Sequence, residues 1–159
     1  MNKLYLTKTD GIYDSLDRIL TELTGEKQTI LRTEKGKPYI NGNPVYFSIS
    51  HSKEYGAIAV CDRPVGVDLE VFAGKDRQAV ISRLPLCERE EITCENDFLS
   101  HWTAREAFIK MTGGTLAEDF KSIAYCGGKM YFDGVLQPCE LFKYVLDYGI
   151  VTVCTGDKI

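Results

Sequence analysis

Apolar residues recur along this chain with two different periods, and the changes of period mark out its elements. "IYDSLDRILTEL" places Ile12, Leu16, Ile19, Leu20 and Leu23 at helical spacing, and Gly25 closes the helix. On either side the apolar runs are short. "KLYLT" reads as a first strand, "TILRT" as a second, and "VYFSIS", "GAIAVC" and "VGVDLEV" as successive strands up to residue 71. The stretches "EKGKP", "NGNP" and "DRP" supply the turns between them. "RQAVISRL" and "NDFLSHWTAREAFIKM" predict two helices separated by Pro85, and "SIAYC", "KMYF", "ELFKYVL" and "IVTVC" are strand-like. Each half of the chain then combines strands with one principal helix, with a seam near Arg63–Pro64. The expected fold class is α+β, with halves 1–63 and 64–159.

One strand carries a chemical problem. In "VGVDLEV" strict alternation puts Val67, Leu69 and Val71 on one face and Asp68 and Glu70 on the other. Two like charges side by side in an apolar setting repel each other and resist desolvation. A third acid, Glu106, interrupts the helical stripe Leu99, Trp102, Ile109, so it too needs a partner. Lys110 follows one turn later; the ordinary reading of that pair is a surface ion pair worth about 0.2–0.5 kcal/mol. The ordinary reading of Asp68 and Glu70 alone is a solvated acidic face on an edge strand. Taken together, Asp68, Glu70 and Glu106 form an oxygen-rich set that suits Mg2+, and they are expected to converge within a few ångströms.

Composition narrows the field. The 159 residues carry a formal charge of −4, which argues against nucleic acid as the main partner. Hydrophobic content of 44% and charged content of 26% are ordinary for a globular chain. No apolar run has the length of a signal peptide core or a membrane span, so a cytoplasmic protein without membrane contact is expected. The six cysteines show no C-x-x-C pair, and free thiols are expected. With two histidines, a zinc site has little to build on. A Ser–His dyad at Ser50–His51 is disfavoured because neighbours on a strand face opposite ways and no G-x-S-x-G elbow exists. Close to a diphosphate, His51 would instead donate a hydrogen bond. "EKGKPY" exposes Lys35 and Lys37 on a turn, and no P-loop or G-x-G-x-x-G is present.

"GKPY", "FSISHS", "GVDLE" and "WTAREAFIK", in that order, resemble the motifs of the 4′-phosphopantetheinyl transferases, and more closely the surfactin-synthetase type, which are single-chain pseudodimers. The resemblance covers roughly residues 30–125. It implies two similar α+β halves related by a pseudo-two-fold, each a small antiparallel-rich sheet with a principal helix, and an active site in the cleft between them. It implies transfer of the phosphopantetheine arm of coenzyme A to a serine of an apo acyl or peptidyl carrier protein, releasing adenosine 3′,5′-bisphosphate. Asp68, Glu70 and Glu106 match the family's Mg2+ ligands. Lys110 and His51 match groups on the phosphates, and Ser50 and Lys37 match groups around the 3′-phosphate and adenine. Glu106 and Lys110 are the candidate catalytic residues, and a monomer is expected, with residues 1–63 as the coenzyme A side.

Three departures from the family pattern stand out. The N-terminal region is short and lacks the basic stretch that helps hold the 3′-phosphate, leaving Lys27, Arg32 and Lys35 as substitutes. "GGTL" at 113–116 replaces G-x-G-L. Arg105 stands where lysine is common, keeping charge but changing hydrogen-bond geometry. Carrier domains are acidic, so "GKDRQAVISRL", with Lys75, Arg77 and Arg83 beside Ala79, Val80 and Leu84, is the expected docking segment. Competing readings are a non-catalytic relative that binds coenzyme A or a carrier, and a metal-dependent phosphoesterase.

Overall fold

A strand that must lie against the backbone of a helix cannot carry a side chain at the crossing, and Gly66 is such a position. A Cβ built there would stand 1.9 Å from the carbonyl oxygen of Ala107 and 2.4 Å from the amide of Met111. That close approach fixes the central packing of the computed structural model, which describes residues 2–42 and 45–157.

In chain order the elements are β1 (Asn2–Lys8), α1 (Ile12–Thr24), β2 (Ile30–Arg32), β3 (Pro38–Ile40), β4 (Tyr46–Ser52), β5 (Tyr55–Cys61) and β6 (Val65–Val71). They continue with α2 (Gln78–Ile81), α3 (Leu86–Glu91), α4 (Glu95–Thr112), α5 (Leu116–Asp119), β7 (Ile123–Cys126), β8 (Lys129–Phe132), β9 (Val135–Leu136), β10 (Glu140–Leu146) and β11 (Gly149–Thr155). All sheets are antiparallel: β1-β5-β4, β10-β11-β6, β2-β3 and β7-β8-β9. The fold is α+β, as the periodicity predicts.

The core follows the alternation. Ile12, Leu16 and Leu20 of α1 pack on Phe47, Ile58 and Val60 of the first sheet. The opposite face of that sheet, through Ala57, Ala59 and Cys61, meets Val65, Val67, Leu69, Val151 and Val153 of the second. Tyr55 and Tyr148 stack at 3.7 Å between ring centroids across the same junction. The second sheet's far side carries α4, whose Ala104, Ala107, Phe108 and Ile109 also meet Ile123 of β7 and Met130 of β8. This enclosure explains why α4 is buried around most of its circumference instead of along the one stripe expected.

Several expectations need correction. The turn expected at "EKGKPY" is shorter, because Pro38–Ile40 already pairs with β2 as a hairpin. Only Gln78–Ile81 of "RQAVISRL" is helical, and α3 and α5 are short helices that the apolar pattern does not announce. The turn expected at "NGNP" begins at Asn41–Gly42, and Asn43 and Pro44 lie outside the described residues. Cys87 and Cys126 are joined by a disulfide, tying α3 to the end of β7, whereas Cys61, Cys94, Cys139 and Cys154 are free thiols. The pair lies 39 residues apart in sequence, and only the tertiary packing of α3 against β7 brings it together. No helix among the described residues is long and apolar enough to cross a membrane.

Candidate active site

With Val67, Leu69 and Val71 committed to the inter-sheet core, Asp68 and Glu70 project to the side of β6 on which α4 packs. α4 brings Glu106 and Lys110, one turn apart, to the same place. Asp68 is buried at 5% exposure. Its Oδ1 accepts from Lys110 Nζ at 2.7 Å and from Ser50 Oγ at 3.0 Å. Lys110 therefore pairs with the strand acid across the junction and does not form the simple surface pair with Glu106. Asp68 Oδ2 is buried with no hydrogen-bond partner.

These groups line a cavity of about 460 Å³. Its wall is completed by Arg32, Lys35 and Lys37 from the β2–β3 hairpin, Tyr13 of α1, Ser50 and His51 of β4, and Gly113 and Gly114 beyond α4. Every residue singled out from sequence as catalytic, coenzyme A-binding or metal-ligating thus borders one space. Of Lys27, Arg32 and Lys35, the basic residues expected to hold the 3′-phosphate, Arg32 and Lys35 border it. Lys27 lies elsewhere, 3.7 Å from Asp17 on the surface.

The electrostatics are those of acids crowded with too little positive charge. Burial, then the neighbouring Asp68 carboxylate, pushes Glu106 up to about 7. Burial raises Glu70 as well, with Asp68 again adding to it. Burial raises Asp68 against the opposing pull of Lys110. The hard oxygen donors, the orphaned Oδ2 and the raised carboxyls together fit a divalent cation such as Mg2+, which takes carboxylates along with water and phosphate oxygens. Among the described residues no three Asp, Glu, His or Cys side chains already stand in ion-holding geometry. Mutual repulsion and the Lys110 ammonium beside Asp68 give a physical reason for that spacing.

Two lysines of the hairpin reach across to the second half. Lys35 Nζ lies 2.5 Å from Glu118 Oε2, and Lys37 Nζ donates to the Met111 carbonyl at 2.6 Å. Burial lowers Lys37 to about 8. "GGTL" has a local explanation. Gly113, at φ 78°, ends α4 with its N–H on the Ile109 carbonyl, and Thr115 caps α5 by accepting from Glu118 N–H.

The sequence reading missed a buried charge network behind the site. Glu88, fully buried, accepts from Arg105 Nη1 at 2.5 Å and from the Tyr125 N–H at 3.0 Å, and its Oε2 lies 3.0 Å from His101 Nδ1. Arg105 also donates to the carbonyls of Ile123 and Phe120. Its side chain ties α3, α4 and the segment entering β7 together directly behind Glu106. The isolated charges of "CEREE" gave no sign of this.

On the docking segment, Leu84 is buried and unavailable for contact. Arg77 lies over the Phe98 ring at 5.3 Å and Arg83 over Phe120 at 5.6 Å. Val80, Arg83, Trp102, Phe120 and Lys121 border a second, largely apolar groove.

No family model matches the chain. Curated proteins do. The 4′-phosphopantetheinyl transferase psf-1 of Bacillus pumilus is 30% identical over 152 residues, covering 81% of this chain and 61% of that protein. The 4′-phosphopantetheinyl transferase Sfp of Bacillus subtilis strain 168 is 28% identical over 142 residues, 77% of this chain and 61% of its own length. The chain belongs to the 4′-phosphopantetheinyl transferase superfamily. A vertebrate relative, the L-aminoadipate-semialdehyde dehydrogenase-phosphopantetheinyl transferase of Xenopus laevis, is 30% identical over 69% of this chain and 40% of that protein. The chain spans at most about three-fifths of the length of these relatives, 61% in the two Bacillus cases.

Proposed function

We propose that the chain transfers the 4′-phosphopantetheine arm of coenzyme A to a serine of an acyl or peptidyl carrier protein, with Mg2+ as cofactor, and releases adenosine 3′,5′-bisphosphate. The observation that carries this reading is the single cavity wall on which a basic group (Arg32, Lys35, Lys37) stands with Asp68, Glu70, Glu106 and Lys110. A phosphorylated nucleotide needs the cations, and a diphosphate whose anhydride bond is exchanged for a serine ester needs charge neutralisation with a base nearby. Asp68, Glu70 and Glu106 would hold Mg2+, which when bound neutralises and orients the diphosphate. Lys110 and His51 meet diphosphate oxygens, while Lys37 faces the 3′-phosphate end. Glu106 accepts the proton of the carrier serine hydroxyl. The serine oxygen forms a bond to the phosphorus that bears pantetheine, and the bond from that phosphorus to the bridging oxygen breaks. The electron pair leaves with adenosine 3′,5′-bisphosphate.

In this reading residues 1–63 form the coenzyme A side and 64–159 the metal side of two similar halves, and the protein works as a cytoplasmic monomer away from membranes and nucleic acid. Calorimetry with coenzyme A and Mg2+ tests the assignment. Lys110→Met and His51→Ala should each weaken binding by about tenfold, because charge-assisted contacts to phosphate disappear. Unchanged affinity in both variants would place the diphosphate elsewhere.

A second reading is favoured by one observation: the Lys37 ammonium is already engaged by the Met111 carbonyl. It is a relative that binds coenzyme A or a carrier without turnover. The carrier would approach the groove bordered by Val80 and Arg83. Arg83 is exposed on the rim of that groove, and exposed charges mainly steer encounter, so Arg83→Glu should slow carrier association and flatten its salt dependence while coenzyme A affinity stays unchanged. Stopped-flow association at several salt concentrations reads this directly. Identical rates in the variant would move the docking surface to another face.

A further inference from the structure

Ser48, Ser50 and Ser52 alternate along β4, so their hydroxyls share one face, which meets the edge of β6 not paired with β11. Each accepts a hydrogen bond from an alternate β6 amide: Ser48 Oγ from Val67 at 3.0 Å, Ser50 from Leu69 at 3.1 Å, and Ser52 from Val71 at 3.3 Å. The hydroxyls thus do for this edge what the carbonyls of a neighbouring strand would do. A hydroxyl that accepts still has one proton to donate. Ser50 gives it to Asp68 Oδ1 at 3.0 Å, and Ser52 gives it to Glu70 Oε2 at 3.2 Å. Each of these two serines therefore grips an acid and the amide of the residue after it. Ser48 occupies the same register one step earlier, where the corresponding β6 residue is Gly66 and there is no acid to hold.

We infer that Ser52 and Ser50 are positioning residues that fix the carboxylates of Glu70 and Asp68 for the cation. The inference rests on the metal reading proposed above. Adjacent carboxylates repel and a glutamate has free torsions, so a fixed donor on one oxygen holds the group in place and leaves the other oxygen to coordinate. Ser52 does not border the cavity, so its influence on the site passes through Glu70.

Mn2+ binding to the coenzyme-free protein, followed by electron paramagnetic resonance of the unbound ion, separates this role from a merely structural one. Ser52→Ala should weaken Mn2+ binding on the order of tenfold, as loss of a ligand-orienting partner does elsewhere. Ser52→Thr should restore it. Ser48→Ala removes the same kind of seam bond without touching an acid, so it should lower the melting temperature while leaving Mn2+ affinity at the wild-type value. In turnover, Ser52→Ala should raise the Mg2+ requirement without changing KM for coenzyme A at saturating Mg2+. Should the alanine variant fail to fold, Ser52→Cys, a weaker donor, carries the comparison with an intermediate loss expected. Ser52→Ala with wild-type Mn2+ affinity, or Ser48→Ala weakening it equally, would overturn the positioning role alone. A wild-type protein that binds no Mn2+ even with coenzyme A present would overturn the metal reading beneath it.

Discussion

Glu106→Gln is expected to lose carrier modification by about 10²–10⁴-fold, the range of a lost general base, and yet to yield a more stable protein when divalent ions are chelated. Folding moves this carboxyl from its ordinary 4.5 to about 7, so the folded state binds the proton more tightly than the unfolded state does. Wild-type stability is therefore spared this penalty below about pH 4.5, declines as pH rises, and bears the whole of it above about pH 7. Glutamine has the shape without the charge. In chelator the variant should match the wild type near pH 4.5, pull ahead between pH 4.5 and 7, and hold a constant lead at pH 8. That lead is about 1–3 kcal/mol, discounted because solvent reaches the half-buried carboxyl. Adding Mg2+ should raise the wild-type melting temperature and leave the variant nearly unmoved. A glutamine variant that melts below the wild type in chelator at pH 8 would show that the acid is not a destabilised ligand.

The second large effect lies behind the site. Arg105→Lys is expected to lower stability by about 2–4 kcal/mol, somewhat less than deleting one partner of a buried ion pair outright. Lysine keeps the charge, but a single ammonium cannot span Glu88 and the carbonyls of Ile123 and Phe120 as the forked guanidinium does. Glu88 would then remain buried and only partly satisfied, with α3 and the entry to β7 loosened around it. Urea denaturation at neutral pH measures the loss, and a lysine variant as stable as the wild type would show that the fork geometry is dispensable.

The two effects bear on how far the chain could be read in advance. Short apolar runs bounded by turn residues placed β1, β4, β5, β6, β10 and β11 close to their observed bounds, although β5 and β11 are buried on both faces and β10 is mostly exposed. The α1 helix was equally plain, since only one of its sides is buried. The α4 helix was legible as a helix but not in its burial, because sheets and strands enclose it and a single-stripe reading cannot describe that. Short elements such as β3, α3 and α5 are held by tertiary contacts and a hairpin partner instead of an apolar pattern.

At the site, the cavity-lining residues could be named because alternation and helical spacing place side chains directly. What escaped was partnership. The period-two serines of "SISHS" bind the β6 edge, and Arg105, locally a lysine replacement, is the hub of a buried network. Hydrogen-bond partners separated by 17–19 residues leave no local signature. The Cys87–Cys126 link escaped for the same reason.

The central claim is group transfer, and intact mass of an apo carrier protein tests it most directly. Incubated with this chain, coenzyme A and Mg2+, the carrier should gain the mass of one phosphopantetheine arm, with adenosine 3′,5′-bisphosphate appearing in equal amount. Chelator or Glu106→Gln should prevent both. A carrier whose mass stays unchanged, under conditions where calorimetry shows coenzyme A bound, would contradict the transfer reaction and leave the binding-only reading in its place.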